Sequence, residues 1–249
     1  MPWPLLVLAG VGAGLCGSMA GLASLFSYPA LLAAGLSPVV ANQTNTIALA
    51  TASIGSVLGS RPELRGQGRR TRRLLPLTVV GGAIGAGLVL VTPSDTFALI
   101  VPFLVAGASL VLLRPPAPRR ERDDARLGAA STAGMVAVGV YSGYFGAAAG
   151  VLLLALLARA LAEPLVRVNA VKNVLLGASN IAAAIGFVAF GEVGWSAALP
   201  LTVGLLVGNY IGPAIARRLP PRVLRVGIGV AGLGLAVVLF LRALGRLPG

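Results

Sequence analysis

Two short patches of amide and hydroxyl side chains, set inside otherwise apolar runs, carry the chemistry open to this sequence. The first is Asn42-Gln43-Thr44-Asn45-Thr46; the second holds Asn169, Lys172 and Asn173, followed in the same run by Ser179 and Asn180. Amides and hydroxyls donate hydrogen bonds without carrying charge, and an ammonium adds a compact positive one, a donor set that suits a small anion. Polar groups in hydrocarbon are costly and persist where they pack between helices or line a pathway. Asn42, Thr44, Asn45, Asn169, Lys172 and Asn173 are therefore the candidate substrate-binding residues. Lys172, the only lysine in the chain, has two readings. Its depth in the run is roughly 8–12 Å at helical rise, within snorkelling reach of the interface; alternatively it faces a substrate cavity together with its asparagine neighbours.

The residues that enzymes and metal sites need are scarce. There is no histidine, the single cysteine, Cys16, lies in an apolar run, and the seven acidic residues fall in loops or at segment ends. The sequence therefore predicts no catalytic residue, no metal site, no disulfide and no cofactor, and the protein is not expected to be an enzyme. The same placement argues against a carboxylate proton relay inside the membrane.

The elements that position these patches are apolar helices. Of 249 residues, 57% are hydrophobic and 11% charged, against about 45–50% and 25% in soluble domains. A soluble fold is excluded, and the absence of strand-length alternation excludes an outer-membrane barrel. No basic residue precedes the apolar stretch that starts at Leu5, so this stretch is expected to be a retained helix rather than a cleaved signal. Apolar runs lie near 4–20, 22–36, 39–59, 74–91 and 96–113, then near 128–145, 147–161, 165–190, 195–216 and 223–244. The second run of each set is too short to cross comfortably and follows a glycine-rich stretch. Gly10, Gly12, Gly14, Gly17 and Gly21 precede one; Gly139, Gly143, Gly146 and Gly150 flank the start of the other. Such glycines can simply let helices pack closely. Their coincidence with a shortened run in both halves points instead to broken helices whose N-termini favour anions.

The two halves align. Cys16-Gly17 matches Ser142-Gly143, Pro38 matches Pro164, VVANQTNT matches VRVNAVKN, and PLTV recurs at Pro76 and Pro200. The expected organisation is a first transmembrane repeat over 1–113, a charged cytoplasmic linker over 114–127 and a second repeat over 128–249, forming one membrane domain. The net charge of +13 reflects arginine clusters between apolar runs, without groove-reading or aromatic motifs, so nucleic acid is not an expected partner. The clusters read as topology signals. Arg61 to Arg73, the linker, and Arg217 to Arg225 fall inside; five segments per half then give the repeats opposite orientation. Both termini come out outside, against which Arg242 and Arg246 weigh modestly. The fold class is an all-α integral membrane protein of two inverted repeats, each with a glycine-rich broken or short helix, with about eight transmembrane helices in up to ten helical segments.

SGYFGAAAGVLLLALL (Ser142 to Leu157) resembles the opening of each half in the TauE/SafE-type sulfite exporter family, also called TSUP. CGSMAGLASLFSYPALL (Cys16 to Leu32) keeps that opening's first glycine and its proline at Pro29, and ANQTNT and RVNAVKN are similar to the family's Asn-rich elements. The resemblance spans nearly the whole chain. Where the family has a glycine triplet, this chain has Leu22-Ala23-Ser24 and Ala148-Ala149-Gly150, which adds Ser24 and Gly150 as candidate substrate-binding positions and weakens the case for bare-backbone contact. The resemblance implies a secondary transporter of sulfur-containing or organic anions, of the sulfite, sulfonate or sulfoacetate type, working by alternating access. It would sit as a multi-pass protein in a bacterial-type inner membrane, with the bilayer and a small anion as partners; a homo-oligomer stays open. The alternatives are an anion channel and a non-transporting membrane assembly protein.

Overall fold

A computed structural model describes residues 3–113, 128–161 and 163–216, together with positions 226, 230, 233, 234 and 236–241. The linker over 114–127, Arg217 to Arg225, Arg242, Arg246 and most of the run near 223–244 lie outside the described residues. Every regular element among the described residues is helical: α1 (Trp3–Ala20), α2 (Ser24–Ala33), α3 (Pro38–Gly59), the single turn α4 (Arg61–Leu64), α5 (Gly68–Val91), α6 (Ser94–Leu113), α7 (Ala129–Tyr144), α8 (Ala149–Ala160), α9 (Leu165–Phe190) and α10 (Trp195–Ala216). Three of them, over Gly68–Val91, Leu165–Phe190 and Trp195–Ile215, are long and apolar enough to cross a membrane. At 1.5 Å per residue α2 and α8 reach only about 15–18 Å, half of a hydrocarbon core.

Buried polar side chains are set within an apolar core, and large apolar side chains also cover the outside. Asn42, Thr44 and Lys172 are fully buried alongside Phe97, Phe145 and Phe187, whereas Phe190 is 80% exposed and Val91 77% exposed. An apolar exterior with polar residues enclosed between helices suits lipid as solvent.

Helix pairing obeys the internal duplication. α1 lies along α10 and α5 along α7; α3 packs on α10 and α5 on α9; α3 and α9 meet at the centre. Exchanging the repeats, α1 for α7, α3 for α9 and α5 for α10, maps this pattern onto itself. The two longest interfaces are built from glycines four apart: Gly10 and Gly14 of α1 against Gly204 and Gly208 of α10, and Gly81 and Gly85 of α5 against Gly139 and Gly143 of α7. A β-carbon on Gly14 would stand 2.6 Å from the Leu205 carbonyl oxygen, and one on Gly81 2.5 Å from that of Val136. Only small residues allow backbones this close.

The repeats are antiparallel to one another. The Glu192 and Gly194 N–H groups, beyond the end of α9, donate to Gln43 Oε1 and Thr44 Oγ1 near the start of α3. In return Arg167, near the start of α9, donates to the Glu63 and Arg65 carbonyls beyond the end of α3. Each helix therefore begins where the other finishes, and the two repeats clasp each other at both ends.

Candidate functional site

Both short helices follow a genuine break in the chain. In the first repeat Gly21 takes φ +75 and α1 stops; Leu22, Ala23 and Ser24 then start α2, which ends at Gly35 (φ +91) with the Leu36 N–H returning to the Leu31 carbonyl, a Schellman-type stop. In the second repeat Gly146 has φ +72 and Ala148 φ 56. Ala148 is the only described residue other than glycine with positive φ, a strain of order 1 kcal/mol that proteins retain mainly where function fixes the backbone. The breaks meet: a β-carbon on Gly21 would collide with the Gly150 backbone, and one on Gly150 with that of Gly21.

Around this contact lies a cavity of about 60 Å³, room for roughly four waters at about 15 Å³ each or for one small oxyanion. Both breaks border it, through Gly17, Gly21 and Ser24 on one side and Gly146, Ala149 and Gly150 on the other. Its polar lining comprises Ser18, Ser24, Thr46, Ser53, Ser56 and Ser142 with the amides of Asn173, Asn180 and Asn209. Among the described residues the lining includes no ionisable carboxyl, guanidinium or ammonium group. The first turns of α2 and α8 contribute their N-terminal ends, where the dipole favours negative charge, although the Leu25, Phe26, Ala149 and Val151 N–H groups already bond to the Leu22, Ala23, Gly146 and Ala148 carbonyls.

Of the candidate substrate-binding residues, Ser24, Asn173 and Gly150 border the cavity, and so do Thr46 and Asn180 from the two polar patches. Asn45 stands one layer back, its Nδ2 donating to Ser24 Oγ at 3.2 Å and its Oδ1 accepting from Ser27, so it fixes the hydroxyl that lines the site. Thr44 accepts from the Gly194 N–H at 2.9 Å and belongs to the clasp between repeats. Asn42 and Asn169, equivalent by the duplication, do equivalent things across the repeats. Asn42 Nδ2 donates to the Tyr144 carbonyl at the end of α7 (2.9 Å), and Asn169 Nδ2 to the Ser18 carbonyl near the end of α1 (3.0 Å). Asn173 adds a bond to Ser18 at 3.4 Å, and Lys172 Nζ reaches the Gly17 carbonyl at 3.5 Å. The last carbonyls of a helix have no partner in the helix and carry negative partial charge; the Asn and Lys patches cap the ends that the breaks expose. Lys172 is completely enclosed and holds its Nζ behind the Gly17–Ser18 wall. The Oδ1 atoms of Asn42 and Asn169 are both buried without a partner among the described residues, a cost of about 1–3 kcal/mol each.

Sequence reading did not select Ser18, Ser53, Ser56, Ser142 or Asn209. The hydroxyls of Ser18, Ser53 and Ser56 bond to carbonyls one turn back in their own helices, a habit of any serine in an apolar helix. Asn209 did leave a signal, as a lone amide inside the α10 run; its Nδ2 donates to the Ala52 carbonyl on α3 at 3.0 Å.

At the arginine-rich end Glu163 accepts from Gln67 Nε2 and Arg70 Nη1, both at 3.0 Å, and from Arg167 Nη1 at 2.9 Å. Partial burial opposes ionisation of this carboxyl, but the hydrogen bonds from Gln67 and Arg70 and the charges of Arg167 and Arg70 outweigh it and hold Glu163 below the usual carboxylate range.

Comparison with known proteins gives a consistent picture. The family described as Sulfite exporter TauE/SafE matches residues 6–239. The chain is similar to the Escherichia coli K12 protein named "Probable membrane transporter protein YfcA", 30% identical over 202 residues covering 80% of this chain and 75% of that one. It is also similar to "Probable membrane transporter protein ORF9" of Sinorhizobium sp, 26% identical over 241 residues covering 93% of this chain and 90% of that one, and to a Haemophilus influenzae protein named "Probable membrane transporter protein", 26% identical over 213 residues, 84% of this chain and 82% of that one. No solved structure matches.

Proposed function

The chain belongs to the sulfite exporter TauE/SafE family of membrane transporters, and from that premise we propose that it is a secondary transporter of small sulfur-containing or organic anions working by alternating access. The observation that carries this reading is the convergence of two broken helices, one from each inverted repeat, on one half-open cavity lined by uncharged donors. An anion held there meets two half-helix N-termini, serine and threonine hydroxyls and asparagine amides. Such a site stabilises negative charge without a fixed ion pair that would hold the substrate too tightly to release. Lys172 acts from behind the wall, adding a positive charge near the carbonyl end of α1.

The clasp supports alternating access. Each end of the α3/α9 pair is closed by contacts between repeats, and the duplication relates the two closures. Rocking one repeat against the other opens one closure while the other holds, which exposes a central site to the two sides in turn.

The test is flux of sulfite, sulfonates and small carboxylates in vesicles reconstituted with the purified protein. A carrier gives flux that saturates, with Asn173→Ala and Ser142→Ala each raising the half-saturating concentration about tenfold, the loss expected for one hydrogen bond to a charged group. Flux that never saturates would point to a channel, and flux indifferent to both substitutions would remove the cavity from the pathway.

A further inference from the structure

The outer face of α5 carries a pattern that neither the cavity nor the clasp uses. Arg69, Arg72 and Arg73 are exposed in its first turns, and Val80, Ile84 and Leu88 are exposed further along. At 3.6 residues per turn all six fall within one half of the helix surface, while the other half is buried against α7 and α9. From Arg73 to Val91, which is 77% exposed, the helix rises about 27 Å, close to the roughly 30 Å of a hydrocarbon core. With Val91 at one boundary of the hydrocarbon, the three guanidiniums stand at the other, at the depth of the lipid headgroups, and the apolar positions between face acyl chains.

For the chain alone this placement is unfavourable. Like charges three and four apart on a helix repel, and cations beside a helix N-terminus oppose its dipole; the first turn of α5 contains no acidic residue. The fold pairs Arg70 with Glu163, but Arg69, Arg72 and Arg73 have no carboxylate at ion-pair distance among the described residues. An anion that relieves this cluster must lie at headgroup depth and continue into an apolar stripe. We propose that Arg69, Arg72 and Arg73 form a docking site for an anionic phospholipid of the cytoplasmic leaflet, its phosphate held by the guanidiniums and its acyl chains laid along Val80, Ile84 and Leu88. The arginine-rich end is the one that the positive-inside rule turns to the cytoplasm, the side where anionic lipids give the surface its negative potential. Guanidinium forks match the paired oxygens of a phosphate. Each arginine near an anionic headgroup is worth about fivefold in binding, so three give roughly a hundredfold preference over a zwitterionic lipid. The site lies outside the substrate's path and holds whether or not the chain carries anions.

The test uses the full chain, purified and delipidated in a nonionic detergent, with dioleoylphosphatidylglycerol and dioleoylphosphatidylcholine as probes and bound lipid counted by native mass spectrometry. The parent should hold the phosphatidylglycerol roughly a hundredfold more tightly. Replacing all three arginines by glutamine, also a good helix former, should bring the two lipids close to equality. If that triple variant does not fold, Arg72→Gln alone decides, with an expected loss of about fivefold. Arg61→Gln combined with Arg65→Gln, two exposed arginines at the same end but outside α5, controls for bulk charge and should leave most of the preference intact. The proposal is overturned if the parent does not discriminate, if the α5 substitutions leave the preference unchanged, or if the control pair costs as much as they do. It is also overturned if glycerophosphoglycerol, the headgroup without acyl chains, competes as well as the intact lipid, since the arginines would then read a free phosphate and not a membrane lipid. No flux enters these measurements, so either outcome leaves the transporter reading untouched.

Discussion

Replacing Gly21 by alanine tests the geometry on which the site depends, because two separable costs fall on that one position. Its φ of +75 is a conformation in which an L side chain loses about 1–2 kcal/mol. Its new β-carbon would also collide with the backbone of Gly150, and backbone cannot rotate out of the way; overpacking of this kind costs about 1–3 kcal/mol. The sum is about 2–5 kcal/mol. Two other glycines isolate the terms. Gly35 has φ +91 and open space around it, so Gly35→Ala carries strain alone. Gly150→Ala carries the collision alone, since Gly150 is not at positive φ. Apparent melting temperatures of the purified proteins in one detergent should fall most for Gly21→Ala, by close to the sum of the other two shifts. Anion flux should survive Gly35→Ala and be lost in Gly21→Ala and Gly150→Ala, whose added methyl groups push the breaks apart. A Gly21→Ala protein as stable and active as Gly35→Ala would mean that the two breaks do not touch, and the central cavity would lose its frame.

Three further outcomes follow from particular contacts. Asn42→Ala removes the side-chain cap of the Tyr144 carbonyl and Asn169→Ala leaves the Ser18 carbonyl with only the longer bond from Asn173, so thermal denaturation should show a loss of about 1–3 kcal/mol for Asn42→Ala and a smaller loss for Asn169→Ala; no effect from either would show that neither amide caps a helix end. Lys172→Met removes an enclosed charge with no acidic partner among the described residues, so stability should hold or rise. Anion affinity should fall tenfold or more, since a charge one backbone layer away contributes about 1–3 kcal/mol at an effective dielectric near 20; unchanged affinity in a binding titration would show that the ammonium does not act on the cavity. The carboxyl of Glu163, facing Arg70, Arg167 and Gln67, is held below its ordinary range. Its contribution is therefore fully present above the unfolded-chain carboxylate value and is lost as pH falls through its own lower value. Melting curves should show acid destabilisation that is blunted in Glu163→Gln, and identical pH profiles would contradict the network.

Much of this architecture is legible in the residues. Leu165–Phe190 and Trp195–Ala216 follow directly from apolar run length, and the aligned Asn patches foretell the exchange symmetry because both must cap a broken helix. The arginine run misleads about one boundary: α5 begins at Gly68 rather than at the first apolar residues near 74, since arginines are good helix formers and can extend a helix past the membrane. The glycines serve both of the purposes open to them, with Gly10, Gly14, Gly139 and Gly143 packing helices while Gly21 and Gly146 make the breaks and Gly150 lets them meet. What the sequence hides is which layer a polar residue occupies. Lys172 and Asn173 are neighbours, yet only Asn173 borders the cavity, because successive residues on a helix point about 100° apart and the facing helix decides which one meets space. Ser53 and Ser56 are silent for the same reason, being small hydroxyls that an apolar helix tolerates anywhere.

The central claim is that one half-open cavity, framed by two broken helices, carries a small anion across the membrane. Counterflow tests it most directly: vesicles holding the purified protein are loaded with unlabelled sulfite or a sulfonate, and entry of the labelled anion is followed. The account predicts saturable entry, accelerated by the internal anion and abolished by Gly150→Ala. Entry equal to that of protein-free vesicles for every anion in the panel, or entry that Gly150→Ala leaves intact, would contradict it.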